Sequence, residues 1–154
     1  MTIKSITPFL WFNTEAGDAA KLYAALFPNS RILQTSHYGP NMPMPEGSVM
    51  VVDMELAGQR VTLLNGGTYY KLSPAFSLMV NCEDQAEIDR LWAALGEGGA
   101  YSQCGWLTDR FGLSWQINYA GLADLMKSGK GNKVMAAMMP MQKIDIQKLK
   151  DAAA

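Results

Sequence analysis

A single histidine, His37, and two cysteines, Cys82 and Cys104, are all this 154-residue chain offers of imidazole and thiol ligands. Two thiols so far apart make neither a zinc cluster nor a disulfide framework. They are expected to be reduced, semi-buried small hydrophobes with no redox role. Excess charge is missing as well: 13 basic residues face 14 acidic ones, and Lys143, Lys148 and Lys150 are diluted by Asp145 and Asp151. Such a balance supplies no field for a phosphate backbone, which argues against a nucleic-acid partner. No apolar run approaches the roughly 18 to 20 residues that cross a bilayer. The start Met-Thr-Ile-Lys-Ser lacks a signal peptide's apolar stretch. These absences lead to the expectation of a cytoplasmic protein with no membrane partner.

What is present is the composition of a globular protein, with 49% hydrophobic and 18% charged residues, long enough to bury a core without staples. Leu22-Tyr-Ala-Ala-Leu-Phe27 recurs as Leu91-Trp-Ala-Ala-Leu-Gly96, so the chain reads as two copies of one unit. In the first copy, the apolar and aromatic residues 6–12 suit a buried strand. Asn13 or Thr14 is expected to cap a helix with Glu15 and Asp18 near its positive end. Ala19, Leu22, Tyr23 and Leu26 give that helix one apolar face. After Pro28-Asn-Ser, residues 31–38 read as a strand, followed by a loop with Gly39, Pro40, Pro43, Pro45 and Gly47 that is the obvious mobile segment. Residues 49–56 alternate, with Met50, Val52, Met54 and Leu56 on one face. Asp53 and Glu55 on the other are read as solvated. Ala57-Gly58-Gln59 turns this strand into 60–65, and the unit reads βαβββ.

In the second copy, 75–80 repeats the first strand and Ile88, Leu91, Trp92 and Leu95 form a helical stripe stopped by Gly96, Gly98 and Gly99. Shorter strands over 101–107 and 113–119 complete the unit. Helical stretches at 121–127, 132–139 and 144–152 lie outside the repeat. Among them Met135, Met138, Met139 and Met141 are unusually dense, which points to a homodimer or a pocket lid. The expected architecture is α+β: one domain over 1–154, with modules at about 1–68 and 72–120 and a C-terminal helical extension over 121–154.

The most informative stretch is Cys104-Gly-Trp-Leu-Thr-Asp-Arg-Phe-Gly-Leu-Ser-Trp-Gln-Ile117, a tight turn leading into a strand with a polar residue among apolar ones. Asp109 is expected to hold that turn through its side chain, with Arg110 exposed beside it. Taken with Ile6-Thr-Pro-Phe-Leu-Trp-Phe12, Ala25-Leu-Phe-Pro-Asn-Ser-Arg31, Leu64-Asn-Gly-Gly67 and Lys143-Ile-Asp-Ile146, it resembles the vicinal-oxygen-chelate superfamily. That superfamily includes glyoxalase I, bleomycin-resistance proteins and extradiol dioxygenases, and the likeness is narrower to its PhnB-like branch. The resemblance covers essentially the whole chain and implies two modules forming an open, barrel-like sheet. Many members carry the label 3-demethylubiquinone-9 3-methyltransferase. This chain has no Gly-rich strand-to-helix turn of the kind that binds S-adenosylmethionine in doubly wound methyltransferases, so the label does not guide its chemistry.

The resemblance also implies where a metal would sit, because superfamily enzymes draw two or three His with Glu from the first and last strands of each module. The positions available here are Phe9 or Trp11, Leu63 or Asn65, Ser77 or Met79, and Ser114 or Gln116, with Gln116 aligned on the family's last Glu. Amides and hydroxyls hold divalent transition metals poorly, so no metal and no cofactor are expected. The expected site is a neutral polar pocket. Asn65, Ser77 and Gln116 offer hydrogen bonds between aromatic walls that include Trp11 and Trp106, to which Phe9 and Trp115 add. The same amides could instead knit the two modules together. A small, mostly neutral organic ligand fits this pocket, and no residue in it makes a convincing acid, base or nucleophile. One alternative is a metal-dependent lyase, isomerase or dioxygenase with ligands from His37, Asp53, Glu55 or Asp109. The other is a homodimeric scaffold with a vestigial pocket. His37 itself reads as an exposed loop residue, or else as an acid–base group at the cleft mouth.

Overall fold

The chain runs β1 (Phe9–Phe12), α1 (Ala16–Leu26), β2 (Arg31–His37), β3 (Val49–Leu56), β4 (Gln59–Asn65), β5 (Ser77–Cys82), α2 (Gln85–Gly96), β6 (Ala100–Tyr101), β7 (Trp106–Thr108), β8 (Ser114–Tyr119), α3 (Leu122–Met126), α4 (Gly131–Met138) and α5 (Ile146–Ala153). This is a computed structural model that describes residues 1–154. It falls into two units, 1–72 and 73–154. Each holds one open four-stranded sheet, ordered β1-β4-β3-β2 in the first and β5-β8-β7-β6 in the second. In both, the opening strand pairs parallel with the closing strand and the other neighbours are antiparallel. The βαβββ pattern expected from the repeat is therefore present twice, and the α+β class holds.

Alternation decides what each sheet buries. In the first unit Leu10, Phe12, Val52, Met54, Leu56, Val61 and Leu63 are buried on the face that receives Ala16, Ala19, Ala20 and Tyr23 of α1. In the second, Cys82, Leu107, Trp115 and Ile117 occupy the face that receives Ile88, Leu91 and Leu95 of α2. Full burial of a side chain of this size contributes about 1.5–3 kcal/mol, so these two stripes dominate the stability of their units. The β3–β4 hairpin closes through Ala57 and Gly58, with φ of 49° and 83°. A two-residue primed turn demands positive φ at both positions, which the twist of the flanking strands favours.

Several boundaries differ from the sequence reading. β1 begins at Phe9 rather than residue 6, because Pro8 has no N–H to give the ladder; its carbonyl still accepts from Thr62 N–H at 3.0 Å. β5 begins at Ser77 rather than 75, because a turn occupies 73–76, where Phe76 N–H donates to the Ser73 carbonyl at 3.2 Å. The expected strand over 101–107 is broken into β6 and β7, since Cys104 and Gly105 have φ of 57° and 82°, outside the extended region. Neither Asn13 nor Thr14 caps α1: Glu15 stands at the N-cap without a side-chain cap bond. By contrast α2 is capped locally, Asp84 accepting from Glu87 N–H at 2.9 Å.

The C-terminal extension is stitched to the second module. Cys104 N–H and Gly105 N–H donate to the Met141 and Gln142 carbonyls, each at 2.7 Å. A Cβ on Gly105 would lie 2.6 Å from the Ile117 carbonyl oxygen, so the close approach as well as the φ requires glycine there. The Gln85 side chain donates to the Ile144 carbonyl at 2.9 Å and accepts from Ile146 N–H at 2.9 Å. Beside it, Lys143 pairs with Asp89 at 2.7 Å. The hydrogen bond from Lys143, with a second from Gln85, holds the Asp89 carboxyl below its ordinary range.

Candidate functional site

The Asn-Gly-Gly segment of the first unit works as a clamp. Asn65 Oδ1 accepts from Ala16 N–H at 2.8 Å, giving the bare start of α1 the partner that no local residue supplies. Its Nδ2 donates to the Val49 carbonyl at 3.0 Å. Gly66 has no room for a side chain, because a Cβ there would lie 2.3 Å from the Trp11 ring. The Gly67 carbonyl accepts from the Trp11 indole N–H at 2.9 Å, and Tyr70 meets the same ring edge-on at 5.1 Å.

Trp11 and Asn65 cannot both line one cavity. In the β1–β4 register Trp11 pairs with Leu64, and Asn65 pairs with Phe12 on the α1-packed side. Asn65 is 4% exposed. The expectation that it faces the site with Trp11 is thus corrected: a step of one residue along a strand reverses the face. Phe9, Thr62, Leu64, Val51, Asp53 and Glu55 share Trp11's face. Asp53 and Glu55 therefore lie on the helix-free face of this sheet and are half-buried. Asp53 accepts from the Thr62 hydroxyl at 2.7 Å, and Glu55 pairs with Arg31 at 3.3 Å. His37 ends β2 and is exposed.

In the second unit the register sets Ser77, Met79, Asn81, Ser114, Gln116, Asn118, Trp106 and Thr108 on the face away from α2. Gln116 Nε2 donates to Ser77 Oγ at 2.9 Å, and Trp106 stands directly across from Gln116 on β7. A second neutral pair, Asn118 to Asn81 at 3.1 Å, continues the ladder. Alternation along the last strand puts Ser114, Gln116 and Asn118 on one side, and the register adds Ser77 and Trp106 to it; Asn81 and Thr108, which share that side, were not foreseen. Nothing in the identity of Ser114 marks how deeply it is buried.

Asp109 holds the turn before β8. Its Oδ1 accepts from Phe111 N–H at 2.9 Å and Leu113 N–H at 3.1 Å, and its Oδ2 accepts from the Trp115 indole at 2.9 Å. Trp115 is buried on the α2 side and does not wall the polar face. Burial, with Glu87's charge adding to it, pushes the Cys82 thiol up to about 12, which keeps it protonated and inert.

Against the helix-free face of the second sheet lies a cavity of about 470 Å³, bounded by Trp106, Thr108, Ser114, Cys104 and Pro74. A metal of the kind the fold implies does not fit this chain. No three His, Cys, Asp or Glu side chains come together where they could hold an ion. Asp109 is committed to the turn, Glu55 to Arg31 and Asp53 to Thr62. The strand positions that would supply ligands carry Trp11, Ser77 and Gln116, which are poor donors for a transition metal.

Two βαβββ units with this strand order define a fold of the vicinal-oxygen-chelate superfamily. The profile of the 3-demethylubiquinone-9 3-methyltransferase family matches residues 4–118, and the chain belongs to that PhnB-like family. Its sequence is 34% identical to the PhnB protein of Bacillus cereus, over 76% of this chain and all of that one, with a TM-score of 0.71. A Pseudomonas aeruginosa protein shares the fold at 23% identity and TM-score 0.63, over 76% of this chain and 98% of its own. The fosfomycin resistance protein FosX of Listeria monocytogenes, in its complex with Mn(II) and sulfate, shares it at 12% identity and TM-score 0.53, over 82% and 98%. None of the curated proteins matches. The matched residues stop at 118, so α3, α4 and α5 lie outside the family profile. No helix is long and apolar enough to cross a membrane.

Proposed function

We propose that this PhnB-like protein binds a small, mostly neutral organic molecule in a metal-free cleft in which catalysis is not evident. What supports the reading is the Gln116–Ser77 pair on the helix-free face of the second sheet, beside the Trp106 ring. The pair leaves the Gln116 amide oxygen and the Ser77 hydroxyl hydrogen without partners. They are directed, uncharged groups of the kind that orient a ligand in an aromatic-walled site. In the first unit Trp11, held by Gly67 and Tyr70, is the side chain we assign to ligand contact; Asn65 is withdrawn from that assignment. Trp11, Ser77, Trp106 and Gln116 include no group that titrates near neutral pH.

A thermal-shift screen of small aromatic and oxygenated metabolites supplies a ligand, and Gln116→Leu then removes both polar atoms at nearly constant volume. The expected outcome is a roughly threefold to tenfold loss of affinity, the equivalent of one directed hydrogen bond. Unchanged affinity with lowered thermal stability would show that Gln116 is a strut. Elemental analysis of the same untagged sample decides the metal-dependent lyase, isomerase or dioxygenase reading: about one dialysis-resistant zinc, nickel, manganese or iron per chain overturns ours.

The protein is further expected to act in the cytoplasm as a homodimer. Met135 and Met139 on the tail are 38% and 59% exposed, an apolar surface that association would cover. Light scattering should give twice the 16.9 kDa chain mass at micromolar concentration, reduced by Met138→Glu with Met139→Glu. A monomeric mass for the unmodified protein overturns this expectation.

A further inference from the structure

The turn that leads into Trp106 is held from outside its own βαβββ module. Cys104 and Gly105 both lie in the left-handed region, with φ of 57° and 82°, and Cys104 carries a side chain that this region disfavours. β7, which begins at Trp106, is three residues long, and β6 beside it has only two. Two backbone bonds close the turn from within, from Trp106 N–H to the Gln103 carbonyl at 3.0 Å and from Ser102 N–H to the Trp106 carbonyl at 2.9 Å. The N–H groups of the two left-handed residues find their acceptors in the extension instead, on Met141 and Gln142, each at 2.7 Å. Ile144 is fully buried there, its Cγ1 lying 3.0 Å from where a Cβ on Gly105 would stand.

One side chain anchors the segment that supplies these acceptors. Gln85, the first residue of α2, donates to the Ile144 carbonyl and accepts from Ile146 N–H, both at 2.9 Å. An amide has a donor and an acceptor side by side, so it grips a carbonyl and an N–H two residues apart as a paired strand would. What the turn controls is the site. Trp106 follows it directly and stands across from Gln116, and Ser102, Gln103 and Cys104 join Trp106 in lining the cavity of about 470 Å³. We propose that Gln85 is a positioning residue for this site: it holds residues 141–146 against the 102–106 turn, and the carbonyls of that segment keep Trp106 in place on the helix-free face. The inference rests on the neutral-ligand reading above, in which Trp106 walls the site, and deepens it by giving the C-terminal extension a part in shaping that wall.

Gln85→Leu tests it, because it removes both bonds at nearly constant volume, and the readout is nuclear magnetic resonance of the full-length, nitrogen-15-labelled protein with no ligand added. Hydrogen exchange of the Cys104 and Gly105 amides should quicken roughly tenfold to a hundredfold, since two hydrogen bonds fewer hold the segment that protects them. The Trp106 indole N–H resonance, assigned with Trp106→Phe, should shift or broaden. The Trp115 indole, bonded to Asp109 in the same unit, should keep its resonance, which separates a positioning role from general loosening. Gln85→Glu still accepts from Ile146 N–H but cannot donate to the Ile144 carbonyl, and a carboxylate suits the first turn of α2. It should therefore move Trp106 in the same direction by less, without harm to the helix. The proposal is overturned if Trp106 stays in place in Gln85→Leu, if it moves no more than Trp115, or if the Cys104 and Gly105 amides keep their wild-type exchange. The neutral-ligand reading is decided separately by Gln116→Leu, so it can stand where this proposal falls.

Discussion

Asp109→Ala should lower the melting temperature by about 8–16 °C, corresponding to a loss of about 4 kcal/mol in a chain of this length. The carboxylate is 3% exposed and accepts three hydrogen bonds, from two backbone N–H groups of its own turn and from the indole of Trp115. Bonds to a charged acceptor are each worth about 1.5–3 kcal/mol, and truncation leaves all three donors without it. The loss is not confined to the turn: Leu113 and Trp115 are both buried, so the segment that releases them enters the second unit's core. Asp109→Asn keeps the shape but turns an amide nitrogen toward a donor, and should fall between the two. Differential scanning calorimetry of the metal-stripped proteins checks both. If Asp109 were instead a metal ligand, Asp109→Ala would abolish metal content and leave the metal-free melting temperature within about a degree of wild type.

Local features were legible where the chemistry is local. The Ala57-Gly58 hairpin, the Ile88-Leu91-Leu95 stripe and the Asp109 turn all depend on residues within a few positions of one another, and composition alone announces them. The repeat fixed the connectivity of both units, because a βαβββ order with one apolar face per element leaves few ways to bury those faces. What stayed hidden depends on partners far away in sequence. Asn65 reaches Ala16 across 49 residues, and Gln85 reaches Ile146 across 61, and no periodicity records either bond. Strand faces show the same limit. Alternation placed Ser114, Gln116 and Asn118 on one side correctly, because they share a strand. It could not tell whether Asn65 or Leu64 shares a side with Trp11, because that depends on the register between β1 and β4. Ser114 marks a further step: its identity and its face were readable, while the burial of its hydroxyl without a hydrogen-bond partner arises only once the surrounding chain is packed.

Asn65→Leu should be nearly as damaging as Asp109→Ala, costing about 2–4 kcal/mol, or about 4–16 °C in melting temperature. The leucine fills similar space but leaves Ala16 N–H at the start of α1 and the Val49 carbonyl at the start of β3 without their partner. Helix starts carry unpaired N–H groups that need an acceptor, and Glu15 offers none to this one. Asn65→Asp divides the two bonds: the introduced carboxylate still accepts from Ala16 N–H and suits the positive end of the helix, but it cannot donate to the Val49 carbonyl. Its cost at neutral pH should therefore be smaller than that of Asn65→Leu. Ligand affinity of the folded variants should match wild type, because the side chain lies on the α1 side of the sheet, away from Trp11. A variant with wild-type stability and weakened ligand binding would return Asn65 to the site and require a different register for β1.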